Sequence, residues 1–124
     1  MVSKALDGWQ LENFDVIFIE NVGNLVCPSS YDLGENLRAV LMSVTEGEDK
    51  PLKYPTIFNT ADLAVITKTD IAEAVEFDWD IARRNIDLVR PGMKVIAVSS
   101  KSGAGMENWL NLLLSATSKP PLSA

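Results

Sequence analysis

Two apolar runs end in polar tips whose chemistry is complementary. Residues 62–67, Asp-Leu-Ala-Val-Ile-Thr, pass into Lys68-Thr69-Asp70, and residues 93–99, Met-Lys-Val-Ile-Ala-Val-Ser, pass into Ser100-Lys101. An aspartate at such a tip accepts two donors in one plane, as guanine offers through N1–H and its 2-amino group and adenine does not, while a lysine stem covers the ring. The backbone amides of a Ser-Ser-Lys turn suit the O6 carbonyl of the same base. Thr67, Lys68 and Asp70, with Ser99, Ser100 and Lys101, are therefore candidate base-binding residues. A solvated lysine and a helix cap at Asp70, Ser99 or Ser102 account for the same letters. What favours the first reading is the pairing: the tips lie 32 residues apart with one helical pattern between them, and a single β-α unit would bring both to one ligand.

A third run, Phe-Asp-Val-Ile-Phe-Ile-Glu at residues 14–20, opens into Asn21-Val22-Gly23. Glu20 in that place can hold a magnesium ion, usually through water, and the Gly23 amide can donate to a terminal phosphate, so that the loop senses whether the phosphate is there. An ordinary strand-end acid and a turn glycine read the same way. The single cysteine, Cys27, follows Gly23 by four residues. Its thiolate is a good ligand for nickel or zinc, although a lone cysteine more commonly serves as a small core hydrophobe.

The elements that must position these groups follow from hydropathy. Residues 14–20, 37–45, 62–67 and 93–99 are short β-rich runs, and their near-continuous apolarity suits strands covered on both faces. Residues 77–90 carry Phe77, Ile81, Ile86 and Val89 at helical spacing, with Asp78 and Asp80 early, Arg90 late and Pro91-Gly92 as the stop. Residues 105–117 form a second helix with Met106, Trp109, Leu110, Leu113 and Leu114 as its apolar stripe. Alternating strands and helices imply parallel crossovers, hence an α/β layered fold. Residues 2–11 read as the end of a further helix, and residues 115–124, with Pro120-Pro121, as an exposed tail. One domain over residues 1–124 fits the length.

Composition narrows the partners. Eleven basic against seventeen acidic residues give a net charge of −6, with no Lys/Arg cluster, so neither nucleic acid nor an anionic membrane is an expected partner. No apolar run approaches the roughly 20 residues of a membrane helix, and neither a secretory leader nor a disulfide pair is present, so the cytoplasm is the expected compartment. The absence of histidine removes the commonest general base and metal ligand, leaving carboxylates, lysines, hydroxyls, backbone and Cys27.

Four stretches carry a resemblance: Ile19-Glu20-Asn21-Val22-Gly23-Asn24-Leu25-Val26-Cys27-Pro28; Asp32-Leu33-Gly34; the run from Ser43-Val44-Thr45-Glu46-Gly47-Glu48-Asp49-Lys50 to Pro51-Leu52-Lys53-Tyr54-Pro55; and Asp62 through Asp70. Together they resemble the C-terminal part of the G domain of the hydrogenase nickel-incorporation GTPases, the HypB family, relatives of the urease accessory GTPases. The resemblance implies a P-loop NTPase fold of G-domain type and a GTP-hydrolysing metallochaperone that delivers nickel to hydrogenase. It also implies a GTP-dependent homodimer that shares a metal site, and hydrogenase accessory proteins or the hydrogenase large subunit as partners. Thr67-Lys68-Thr69-Asp70 then stands for the family's Asn-Lys-x-Asp, Ser99-Ser100-Lys101 for its Ser-Ala-Lys, Glu20 and Gly23 for the magnesium and γ-phosphate side, and Cys27 for a metal ligand. The family's Cys-His pair has no counterpart, and no Gly-x-x-x-x-Gly-Lys-Ser/Thr occurs in the 124 residues. That phosphate loop wraps the phosphates of such enzymes. Its strand and helix normally precede the matched stretches, so the expectation is a shortened G domain with a bare sheet flank prone to self-association. Such a chain alone is expected to be inactive. Two alternatives stand beside this reading: a non-enzymatic remnant that binds a partner or weakly holds metal, and an α/β scaffold with no nucleotide role.

Overall fold

The β-branched runs pair into a sheet whose register decides where their polar tips lie. In the structure, a computed structural model that describes residues 16, 18–20 and 37–116, strands β1 (Ala39–Ser43), β2 (Leu63–Thr67) and β3 (Lys94–Ala97) lie parallel in the order β1-β2-β3. Ser43 stands opposite Thr67, and Ile66 opposite Ala97. All three described strands therefore end along one edge of the sheet, which is where ligands bind in open α/β folds.

Helices α1 (Lys50–Lys53) and α2 (Pro55–Thr60) follow β1, α3 (Trp79–Val89) joins β2 to β3, and α4 (Met106–Ala116) follows β3. On one face, Val40, Met42, Ala64 and Ile66 pack against Phe58 of α2 and against Ala82 and Ile86 of α3. On the other, Leu63, Val65, Ile96 and Val98 are covered by Met106, Trp109 and Leu112 of α4. Phe58, Met42, Leu63, Ile66 and Ile86 are fully buried, each side chain contributing about 1.5–3 kcal/mol relative to exposure. Two-sided cover explains why β2 lacks the alternation of a half-exposed strand.

Several expectations need correction. Val16, Phe18, Ile19 and Glu20, the described part of the first apolar run, lie outside the sheet, and Phe18 is 70% exposed. No described strand pairs with them, and β propensity depends on packing against neighbouring strands rather than on the backbone alone. The strand expected at 37–45 stops at Ser43 because Ser43 caps a 3-10 turn over Val44–Glu46. In α3 the buried positions are Ala82, Asn85 and Ile86, while Ile81 is exposed. Asn85 takes an inward place because its amide donates to the Glu48 carbonyl at 2.9 Å. In α4 Leu110 is exposed and Leu112 packs on the sheet in its stead. Helices α1 and α2, of four and six residues, are too short to show a period; proline in each first turn is their only sequence mark. Ser115 belongs to α4, whereas residues 2–11 and 117–124 lie outside the described residues.

Candidate functional site at the strand ends

The tip of β2 begins with a strained residue. Lys68 holds φ 60° and ψ 39°, a left-handed conformation that costs a side-chain-bearing residue on the order of 1–2 kcal/mol. It turns the chain into the 3-10 turn Thr69–Ile71, and the Thr69 amide donates to the Val98 carbonyl at 3.2 Å. The Val98 amide in turn donates to Ile66 at 2.8 Å. The two tips are thus tied by backbone before any side chain acts.

Ser99 then joins them. It is fully buried, and its Oγ donates to Asp70 Oδ1 at 2.8 Å while accepting from the Ser102 amide at 3.1 Å. Because Ser102 N–H can only donate, the single hydroxyl proton of Ser99 is directed at Asp70. The Asp70 carboxylate is thereby oriented, yet the residue remains exposed and keeps Oδ2 for another donor. The Ser99 amide donates to Ala104 O, and Ser99 O accepts from the Gly103 amide, both at 2.8 Å. Among the described residues no acceptor takes the amides of Ser100 or Lys101, so two donors stand open beside Asp70.

The turn closes only with glycine at position 105. Gly105 has φ 74°, and a Cβ there would overlap the Ala97 carbonyl oxygen at the end of β3.

The tip of β1 forms a second cluster. Ser43 and Glu46 make a capping box: Ser43 Oγ accepts from the Thr45 amide at 3.2 Å, and Glu46 Oε2 accepts from the Ser43 amide at 2.7 Å. Buried Lys50 donates to Glu46 Oε1 at 2.7 Å and to the Leu41 carbonyl at 3.2 Å. Burial acts to raise the Glu46 carboxyl, but the Lys50 and Ser43 hydrogen bonds and the charges of Lys50 and Lys68 outweigh it and hold the carboxyl below its ordinary 4.5. Glu48, two residues on, accepts from the Asp78 amide at 2.8 Å and ties this loop to the start of α3. Sequence reasoning quoted these residues without giving them a task, although Ser-x-x-Glu is a capping signature.

Of the predicted site residues, Thr67, Lys68, Asp70, Ser99, Ser100 and Lys101 therefore share one edge. Glu20 is exposed and outside the sheet, whereas Gly23 and Cys27 lie outside the described residues. No cluster of three or more Asp, Glu, Cys or His side chains that could hold a metal occurs among the described residues. No described helix is long and apolar enough to cross a membrane.

Comparison with known proteins agrees with this architecture. HypB of Azotobacter chroococcum mcd 1, a hydrogenase maturation factor, is 51% identical over 112 residues, covering 89% of this chain and 36% of that protein. The Escherichia coli K12 HypB is 45% identical over 113 residues, covering 91% and 39%. The chain thus spans between a third and two-fifths of the length of these curated relatives. A crystal structure of HypB from Archaeoglobus fulgidus superposes with a TM-score of 0.82 at 44% identity, covering 90% of this chain and 59% of that one. HypB from Helicobacter pylori in complex with nickel gives 0.84 at 42% identity, covering 94% and 54%. The nucleotide-binding domain of the CobW/HypB/UreG family matches residues 2–97, more than half of the chain, so the chain belongs to that family.

Proposed function

We propose that this chain carries the guanine-reading part of a GTP-dependent protein that delivers nickel during hydrogenase maturation. The observation that carries the base assignment is the 2.8 Å bond by which buried Ser99 orients Asp70. An oriented carboxylate accepts guanine N1–H and the 2-amino group together; the amides of Ser100 and Lys101 meet O6, and the Lys68 stem covers the ring. Adenine offers an amino group where these amides need an acceptor and lacks the N1–H that Asp70 needs. Thr67, half-buried at the end of β2, supplies one hydroxyl where the family's asparagine supplies an amide.

The remaining roles follow from the resemblance. Glu20 and Gly23 serve the magnesium and terminal-phosphate side; the exposed Glu20 carboxylate fits a magnesium ion, which asks the protein for only one or two carboxylates beside phosphate and water. Cys27 supplies a thiolate to the cargo metal, nickel or zinc, and two chains pool their Cys27 thiolates in a GTP-dependent homodimer. Hydrogenase accessory proteins or the hydrogenase large subunit receive the nickel, in the cytoplasm. In the complete activity, catalysis is positioning and charge neutralisation around an attacking water.

The lack of a Gly-x-x-x-x-Gly-Lys-Ser/Thr loop in these 124 residues favours a non-enzymatic role for the chain by itself, as a partner-binding or weak metal-binding module. Nothing then places the β and γ phosphates, so phosphate release from GTP should match a protein-free blank. Turnover that survives repurification and disappears in Asp70→Ala would contradict this. The base assignment is tested by NMR titration of the chain with GDP and ADP. GDP should shift the amides of residues 67–70 and 99–102 more strongly, and Asp70→Ala should weaken that binding about tenfold to a hundredfold, the loss of a charge-assisted contact of roughly 1.5–3 kcal/mol. Equal response to both nucleotides would remove the guanine assignment.

A further inference from the structure

Glu46 does more than its local turn requires. A capping box closes equally well with glutamine as with glutamate, because the side chain only has to accept from the cap amide. Here the carboxylate also receives the buried Lys50 ammonium, so both its oxygens are fixed. The side chain nevertheless remains 43% exposed. An anchored carboxylate with an open side is thus presented at the sheet edge.

The register sets which strand end lies next to it. Ser43 is opposite Thr67, so the 3-10 turn ending at Glu46 and the left-handed residue Lys68 leave neighbouring strands side by side. The Lys68 ammonium makes no hydrogen bond or ion pair among the described residues. A four-carbon stem that must lie along one face of a base loses rotamer freedom when it is held there. When the base is bound, a fixed negative charge on the neighbouring strand end favours the Lys68 conformers on that side and reduces that loss.

We propose that Glu46 is a positioning residue of the guanine site, a carboxylate anchored by the Ser43 amide and Lys50 that restrains the Lys68 side chain over the base. The proposal rests on the guanine reading of Asp70 and Ser99. Lys68 is also one of the two cations that hold the Glu46 carboxyl low. Glu46 touches no ligand; it acts through Lys68.

A double-mutant cycle on the full chain tests it, with GDP as the probe and NMR as the readout. Glu46→Gln keeps the capping box and removes the charge. It should weaken GDP binding on the order of two- to fivefold, the range of an exposed ion pair, and should weaken it no further in a Lys68→Met background. Equal losses in both backgrounds would show a structural role and overturn the proposal. A second measurement needs no nucleotide and only the exposed Lys68 substitution: the carboxyl 13C titration of Glu46 should move to higher pH in Lys68→Met. An unmoved titration overturns the pairing even if Glu46→Gln does not fold. GDP binding that depends on Asp70 without Glu46–Lys68 coupling would refute this proposal alone; no GDP binding by the wild-type chain would refute it together with the guanine reading.

Discussion

Residues 62–67 and residues 14–20 are both short β-rich runs closed by a polar residue, yet only the first is a strand of the described sheet. Strand β2 lies between β1 and β3, has an apolar layer on each face, and carries its polar tip into a hydrogen-bonded turn. In the second run the described residues Val16, Phe18 and Ile19 are exposed, and no described strand pairs with them. The difference lies in neighbours rather than in composition. A buried strand is made by its ladder partners, and the same partners orient the chemistry at its end. Asp70 is oriented because β3 delivers Ser99 to it.

The largest expected effect attacks this contrast directly. Ile66 is fully buried in β2, whereas Ile19 is 40% exposed. Ile66→Ala should cost about 2–5 kcal/mol in denaturant unfolding, while Ile19→Ala should stay within about 0.5 kcal/mol. Equal costs would mean that the first run is buried as deeply as β2.

A smaller effect is expected where the two tips meet. Ser99→Ala removes the donor to Asp70 Oδ1 and the acceptor for the Ser102 amide, so stability should fall by about 1–3 kcal/mol. The loss should come with local amide exchange at residues 69–71 and 99–103 rather than along β1. Uniform loosening of the whole sheet would mean that Ser99 is merely core.

The smallest effect is on acid stability. The folded Glu46 carboxyl lies below its ordinary 4.5, so its ionised form is the one stabilised by folding. Its contribution is fully present above pH 4.5 and is lost as pH falls through the lower folded value. Unfolding midpoints measured from pH 6 downward should therefore decline less steeply in Glu46→Gln than in wild type. A steeper decline in the variant would reverse the assigned sign.

The legible part of the fold was the part written in runs of letters. β2, β3 and the span of α3 follow from apolar runs, Asp78 as cap and Pro91-Gly92 as stop. Ile81 and Leu110 misled because periodicity locates a helix more securely than it chooses among adjacent apolar positions for burial; Asn85 is inward only because the Glu48 carbonyl waits for it. In the candidate site, the base-reading letters were legible as two tips, and the Ser99–Asp70 bond that joins them depends on sheet register. Glu46 was hidden for the opposite reason. Its letters announce a cap, and its position beside Lys68 emerges only once β1 and β2 are paired.

The most direct test of the central claim, that an oriented Asp70 reads guanine, is to replace its acceptor oxygens selectively. Asp70→Asn presents a donor amide toward C2, where guanine carries an amino group and xanthine a carbonyl. Titrated by NMR with GDP and xanthosine diphosphate, the wild-type chain should prefer GDP, and Asp70→Asn should prefer xanthosine diphosphate, with the largest shifts at residues 67–70 and 99–102 in both. A variant that keeps the wild-type order of preference, or shifts that fall elsewhere, would contradict the account.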